Sequence, residues 1–249
     1  MKPIFFQLGS IAIRSWGVMV ALGFLTSLFF VHRQALKKGI KSDLILNLSF
    51  YLLLAGIAGA RLIYVITDYS YFAARPLEIF MIQAGGLSVH GAFLGGAIAA
   101  YFFTRHHKIS FLRIADIIAP TLLIGQAIGR VGCFLAGHCQ GKVTDFFIKV
   151  KFPMLDGFRH PVQLYEGGLN LIAFVLFLVF QNKFKKKGTL FAAVFIVYSL
   201  IRFLTDFLRD ESKMLFSTLS YAQIASLAII LAFSVAIIKS RQKAINTLQ

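Results

Sequence analysis

Apolar runs of roughly membrane length, divided by short polar stretches, repeat along the 249-residue chain. A membrane helix needs about 20 mostly apolar residues to cross the hydrocarbon layer. Seven stretches qualify: residues 11–31, 44–66, 84–103, 112–136, 162–180, 188–208 and 219–238. The third and fourth are rich in glycine. The chain has no internal repeat, low-complexity tract or separate soluble domain. The pattern therefore predicts an all-α integral membrane protein, a single seven-span membrane domain over residues 1–249.

Composition strengthens this reading. Hydrophobic residues make up 58% of the chain, 27 of them phenylalanine, and mean hydropathy is +0.76. Charged residues are 14%, against about 25% in an ordinary soluble domain. The first apolar run is preceded only by Lys2 and Arg14 and followed by Arg33, Lys37, Lys38 and Lys41. It also lacks a small-residue cleavage site, so it predicts a retained span and not a signal peptide.

The net charge of +16 comes from basic residues in short loops, which suits anionic lipid surfaces and excludes nucleic acid as a partner. With the N-terminus outside, the inside segments carry 14 basic residues and the outside segments nine, Lys213 among the latter. Basic residues favour the cytoplasmic side, so the N-terminus is expected outside and the C-terminus in the cytoplasm. "KFKKK" at 183–187 then reads as a topology signal, and the outside loop 137–161 as a small head over the bundle.

Three basic residues remain inside spans: Arg61, Arg130 and Arg202. A charge at a span's centre costs at least about 2.5–3.5 kcal/mol, so each needs a partner, a polar cavity or the interface. Snorkelling is the alternative for Arg130, and a structural ion pair the alternative for Arg61. Tyr198, Arg202, Asp206 and Arg209 are spaced to share one helical stripe, the expected wall of a polar cavity. A self-contained Arg202–Asp206 pair would explain part of it.

In "GGLSVHGAFLGG", Gly91 and Gly95 form a small-xxx-small step, as do Gly125 and Gly129 in the next span. His90 places an ionisable group among these glycines at the depth expected for Arg130. In "HPVQLYEGG", His160, Gln163, Tyr165 and Glu166 gather polar groups around a helix start, with Pro161 suited to its first turn. Glu166 either complements the helix dipole or pairs with an arginine. Arginine's planar fork matches phosphate. Two arginines in different spans near one leaflet therefore suggest a phospholipid headgroup site, with Gly129 and Gly132 leaving room beside Arg130.

"GGLSVHGAFLGG", "GRVGCFLAGHCQG", "HPVQLYE" and "YSLIRFLTDFLRDE", in this order and spacing, resemble the prolipoprotein diacylglyceryl transferase family. "WGVMVALGF" and "GARLIYV" also fit, so the similarity runs from about residue 14 to residue 238. The resemblance implies a seven-span enzyme of the bacterial inner membrane, with 137–161 as a small periplasmic head. It implies transfer of the diacylglyceryl group from phosphatidylglycerol to the lipobox cysteine of prolipoproteins, releasing glycerol 1-phosphate, without cofactor or metal. It further implies that Arg130 and Arg202 bind the phosphatidylglycerol headgroup and that His90 is the base. Arg61, Gln163, Tyr165, Glu166, Tyr198, Asp206, Arg209, Gly129 and Gly132 complete the expected substrate-binding set.

The signature also departs from the family. Cys133, Ala136 and His138 stand where asparagine, asparagine and glutamate are usual; Trp16 replaces a tyrosine and Asp206 a glutamate. A divergent paralogue with another acceptor is one alternative, and a non-enzymatic phospholipid or anion transporter using the same arginines another. A seven-span receptor is a third, with nothing specific to favour it. Cys133 reads as a small packing residue; a disulfide with Cys139, or a soft-metal site with His138, are the sharper alternatives.

Overall fold

The computed structural model describes residues 1–8, 11–82, 85–153, 155–210, 214–215 and 219–246. Residue 84 of the third expected span and Lys213 of the basic count lie outside the described residues, as do the side chains of Arg241 and Lys243. Seven long helices carry the fold: α1 (Ser15–Lys37), α2 (Ser42–Thr67), α4 (Val89–His106), α5 (Phe111–Ala136), α6 (Val162–Phe180), α7 (Thr189–Asp206) and α8 (Tyr221–Asn246). Each falls on one of the expected spans. A short helix, α3 (Tyr69–Ala74), and a 3₁₀ turn at Pro76–Phe80 follow α2.

Among the described residues six helices are long and apolar enough to cross a membrane; α4, 18 residues long, with three glycines, His90, Arg105 and His106 lowering its hydropathy, is not among them. Only 11% of the apolar window is buried in α2 and in α8. So much exposed apolar surface has no place in water. The protein is an integral, multi-pass membrane protein.

The first span starts at Ser15 and not at residue 11. Residues before it form a hairpin of β1 (Ile4–Leu8) and β2 (Ile11–Arg14), antiparallel with an irregularity between Ile4 and Phe6. The Lys2 amide donates to Leu135 O at 3.0 Å, which ties the hairpin's root to the end of α5.

The chain folds as two compact units. The unit of residues 31–114 is built on α2 against α4. A Cβ placed on Gly59 would meet Gly91 O at 2.4 Å, and one on Gly95 would meet Ala55 O at 2.2 Å. Only glycine permits backbones this close, the usual device for packing helices in lipid. Arg61, buried in α2, donates to the carbonyls of Glu78, Ile79 (2.8 Å), Gly85 (2.7 Å) and Gly86 (3.0 Å). Its guanidinium also lies 5.2 Å from the Phe72 ring centroid. In place of the carboxylate that the ion-pair alternative required, Arg61 bonds to four backbone carbonyls.

The other unit, residues 1–30 and 115–249, buries Leu123, Phe174, Phe177, Leu190, Val194 and Ile201 between α5, α6 and α7. Asp116 of α5 accepts from the amides of Gly188 (2.6 Å) and Phe191 (2.8 Å), so a buried carboxylate satisfies the donors that open α7. Gly23 and Gly125 let α1 cross α5, where Ser27 Oγ donates to Thr121 O at 2.9 Å. Among the described residues, two pairs of two-residue strands decorate this unit: β3 (Val150–Lys151) pairs with β4 (Phe158–Arg159), and β5 (Met214–Leu215) with β6 (Leu219–Ser220).

Candidate functional site

At the ends of α5, α6 and α7, a chain of ion pairs runs through apolar surroundings. Arg130 Nη2 donates to Glu166 Oε1 at 2.6 Å, and the Glu166 side chain is fully buried. The other carboxylate oxygen of Glu166 lies 3.9 Å from Arg202 Nη1. Arg202 Nη1 stands 2.9 Å from Asp206 Oδ1, one turn away on α7. Asp206 in turn accepts from the Ser220 hydroxyl, and the Ser220 amide donates to Gln223 Oε1 at 2.9 Å. Gly167 lies where α5 and α6 approach: a Cβ placed on it would meet Ala127 O at 3.3 Å and Arg130 Cβ at 3.4 Å, a tight but not forbidden fit.

Glu166 thus pairs with two arginines from different helices and does not serve the helix dipole. Burying such pairs is costly unless the geometry is good and every remaining donor is used. Here several donors are not used. Arg130 Nε, Arg209 Nε and Arg209 Nη2 are buried without a hydrogen-bond partner among the described residues, and Arg202 Nη1 approaches its carboxylates off the hydrogen-bonding direction. Guanidinium N–H groups left in this state suit an incoming oxyanion.

The stripe on α7 holds for Tyr198, Arg202 and Asp206. Arg209 lies beyond the helix, whose last residue is Asp206, and a bridge between Gly141 and Arg209 brings it back to the group. Tyr198 lies within electrostatic reach of Glu166 and the three guanidinium groups.

Gln163 and Tyr165, expected among the substrate-binding residues, also anchor a loop. Gln163 Nε2 donates to His138 O (2.6 Å) and Tyr165 donates to Ile148 O (2.8 Å), so both hold the 137–161 loop onto α6. Gly129 and Gly132 also part company. A Cβ on Gly132 would meet Met19 Cβ at 2.9 Å, so this glycine packs against α1; one on Gly129 would meet nothing within 4 Å. Arg61, expected with the substrate-binding residues, has its donors taken by carbonyls. His90 stands exposed in the first turn of α4, without a side-chain partner among the described residues.

Helix α5 ends in a tight reversal. Gly137, at φ +76°, lets its amide reach Phe134 O (3.1 Å) while the His138 amide reaches Cys133 O (3.0 Å). Cys139 follows in the same left-handed region, at φ +64°, unusual for a residue with a Cβ. Its thiol touches that of Cys133 and the guanidinium of Arg209, and the Cys133 hydrogen bond, with the Arg209 and Arg130 charges behind it, holds the Cys139 pKa down at about 5 against the effect of burial. Neither contact was legible in the spacing of the two cysteines. Among the described residues, no group of three His, Cys, Asp or Glu is gathered as a metal-binding set.

The family profile described as "Prolipoprotein diacylglyceryl transferase" matches residues 3–239. The phosphatidylglycerol–prolipoprotein diacylglyceryl transferase of Clostridium novyi is 34% identical over 251 residues, covering 98% of this chain and 97% of that protein. The proteins of the same name from Bacillus velezensis (32%, covering 98% and 93%) and Acaryochloris marina (37%, covering 90% and 85%) are similar to it as well.

Proposed function

The chain belongs to the prolipoprotein diacylglyceryl transferase family, and from that premise we propose that it moves the diacylglyceryl group of phosphatidylglycerol to the lipobox cysteine of prolipoproteins. The observation that carries the site assignment is the set of buried guanidinium donors without a hydrogen-bond partner among the described residues, Arg130 Nε and Arg209 Nε and Nη2, beside Arg202. In the reaction the acceptor thiol loses its proton to a general base, the role the family resemblance implies for His90. Its sulfur attacks the glyceryl carbon; the C–S bond forms as the C–O bond to phosphate breaks. The electron pair leaves on glycerol 1-phosphate. Arg130, Arg202 and Arg209 hold the phosphate and take up that charge, and Tyr198 borders it. Glu166 and Asp206 fix the arginines' forks. The open flank of Gly129 gives the headgroup room.

With α4 as a seventh span the termini fall on opposite sides of the inner membrane, the N-terminus outside and the C-terminus in the cytoplasm. The distribution of basic residues supports this orientation. At about 1.5 Å per residue α4 extends about 27 Å, near the hydrocarbon thickness. The ion cluster then lies near the outer leaflet, under the head formed by 137–161.

The test is product release. Purified protein with phosphatidylglycerol vesicles should release glycerol phosphate when a lipobox peptide carrying cysteine is present. The same peptide with serine should give none. Equal release with both peptides, or none with either, overturns the reading.

A further inference from the structure

Cys133 and Cys139 take no part in the transfer just described, yet the fold brings their thiols into contact. The reversal after α5 achieves this. The His138 amide is bonded to Cys133 O, Gln163 clamps His138 O, and Cys139 adopts a left-handed backbone that a residue with a Cβ rarely tolerates. Both cysteines are free and partly exposed. The Arg209 guanidinium touches the Cys139 sulfur, the Arg130 guanidinium touches the Cys133 sulfur, and the Arg130 charge also acts on Cys139. A thiol in hydrogen-bond contact with a second thiol and beside guanidinium groups is the arrangement that favours the nucleophilic thiolate.

We propose that Cys133 and Cys139 are a redox-active dithiol that a small disulfide oxidant converts to an intramolecular disulfide at the edge of the anion site. Cys139 attacks first: contact with both Cys133 and Arg209 favours its thiolate, and it lies beyond the helix end, whereas Cys133 meets Arg130 from within α5. Its S–H proton leaves, a sulfur–sulfur bond forms to one half of the oxidant, and the other half departs as a thiolate that takes up a proton. Cys133 then loses its proton and attacks the Cys139 sulfur of this mixed disulfide. The Cys133–Cys139 bond forms, and the second half of the oxidant departs as a thiol. Two protein thiols are oxidised and one disulfide is reduced to two thiols. Thiolate character supports this order: the Cys139 pKa is lowered to about 5. Closure removes the thiol that Arg209 contacts.

The experiment uses the full chain in detergent with oxidised glutathione as the probe. Thiols are trapped with an alkylating reagent and counted by intact mass. The chain should lose both alkylatable thiols, without keeping glutathione and without forming dimers. Cys133→Ser should stop at the first step, with glutathione retained on Cys139. Two thiols left free, glutathione retained on the native chain, or a disulfide-linked dimer would each overturn the proposal. Thiol counts do not depend on lipid transfer, so failure here leaves the transferase reading standing, and failure of that reading leaves the thiol count unchanged.

Discussion

Arg61 and Arg130 are both arginines inside apolar helices, and they are handled in opposite ways. Arg61 spends its donors on the carbonyls of Glu78, Ile79, Gly85 and Gly86, a neutral set that closes the 78–86 segment against α2. Arg130 has one strong bond, to Glu166, and among the described residues its Nε has no hydrogen-bond partner; its neighbour Arg209 has two such atoms. The cation that is fully used builds structure. The cations that are under-used are the ones able to receive an anion. Residue type and burial alone do not separate the two; the fate of each N–H does.

The strongest way to break this comparison is Arg130→Gln. Loss of a donor that meets transition-state charge costs about 10²–10³ in rate, so transfer per folded molecule should fall at least about 10²-fold. Because the change leaves Glu166 buried without its partner, stability falls too. Adding Glu166→Gln should restore stability, read by thermal unfolding, while transfer stays lost. A double variant that regains transfer would mean that Arg130 only neutralises Glu166.

Arg61→Gln should do the reverse. Bonds from a charged donor contribute about 1.5–3 kcal/mol each at most, so a loss of a few kcal/mol in stability is expected. The phosphatidylglycerol affinity of the folded fraction should stay within about twofold of the native value, a range of about 0.4 kcal/mol. A loss as large as that of Arg130→Gln would erase the distinction.

The glycines give a smaller effect of the same kind. Gly91→Ala would set a Cβ 2.2 Å from Gly59 O and should destabilise by about 1–3 kcal/mol. Gly129→Ala meets nothing and should stay within about 0.5 kcal/mol in thermal unfolding.

The smallest effect is a pH profile. The Cys139 thiol is lowered to about 5 in the fold, against about 8.5 for an unperturbed cysteine. A lowered folded pKa means the folded chain holds the proton less tightly. Its stabilising contribution is therefore complete above the unfolded value and is lost as pH falls through about 5. Alkylation of Cys139 should accordingly remain fast at pH 6 to 7, where an ordinary thiol slows about tenfold per pH unit; a profile centred near 8.5 would contradict the contact with Cys133 and Arg209.

Much of this architecture was legible in the chain. Long apolar runs marked the seven helices, because a helix in lipid needs continuous hydrophobicity and little else. The pairing of Glu166 with an arginine was one of two readings open at its position, and contact distances decided it. The N-terminal hairpin was hidden because "IFFQL" and "IAIR" are too short and apolar to separate from the start of a span. Arg209 matched the helical stripe, but the bridge to Gly141, not the helix, holds it. Asp116 carried a signal that went unread: a lone carboxylate inside an apolar helix must have donors, and here they are the first amides of α7. The left-handed turn at Cys139 has no sequence signature, since glycine or asparagine is the usual occupant.

The most direct measurement is the mass of a lipobox peptide after incubation with phosphatidylglycerol vesicles and either the native chain or Arg130→Gln. The native chain should add one diacylglyceryl group to the peptide cysteine, and Arg130→Gln should leave the peptide unmodified over the same time. An unmodified peptide with the native chain, or equal modification by both proteins, would contradict the account.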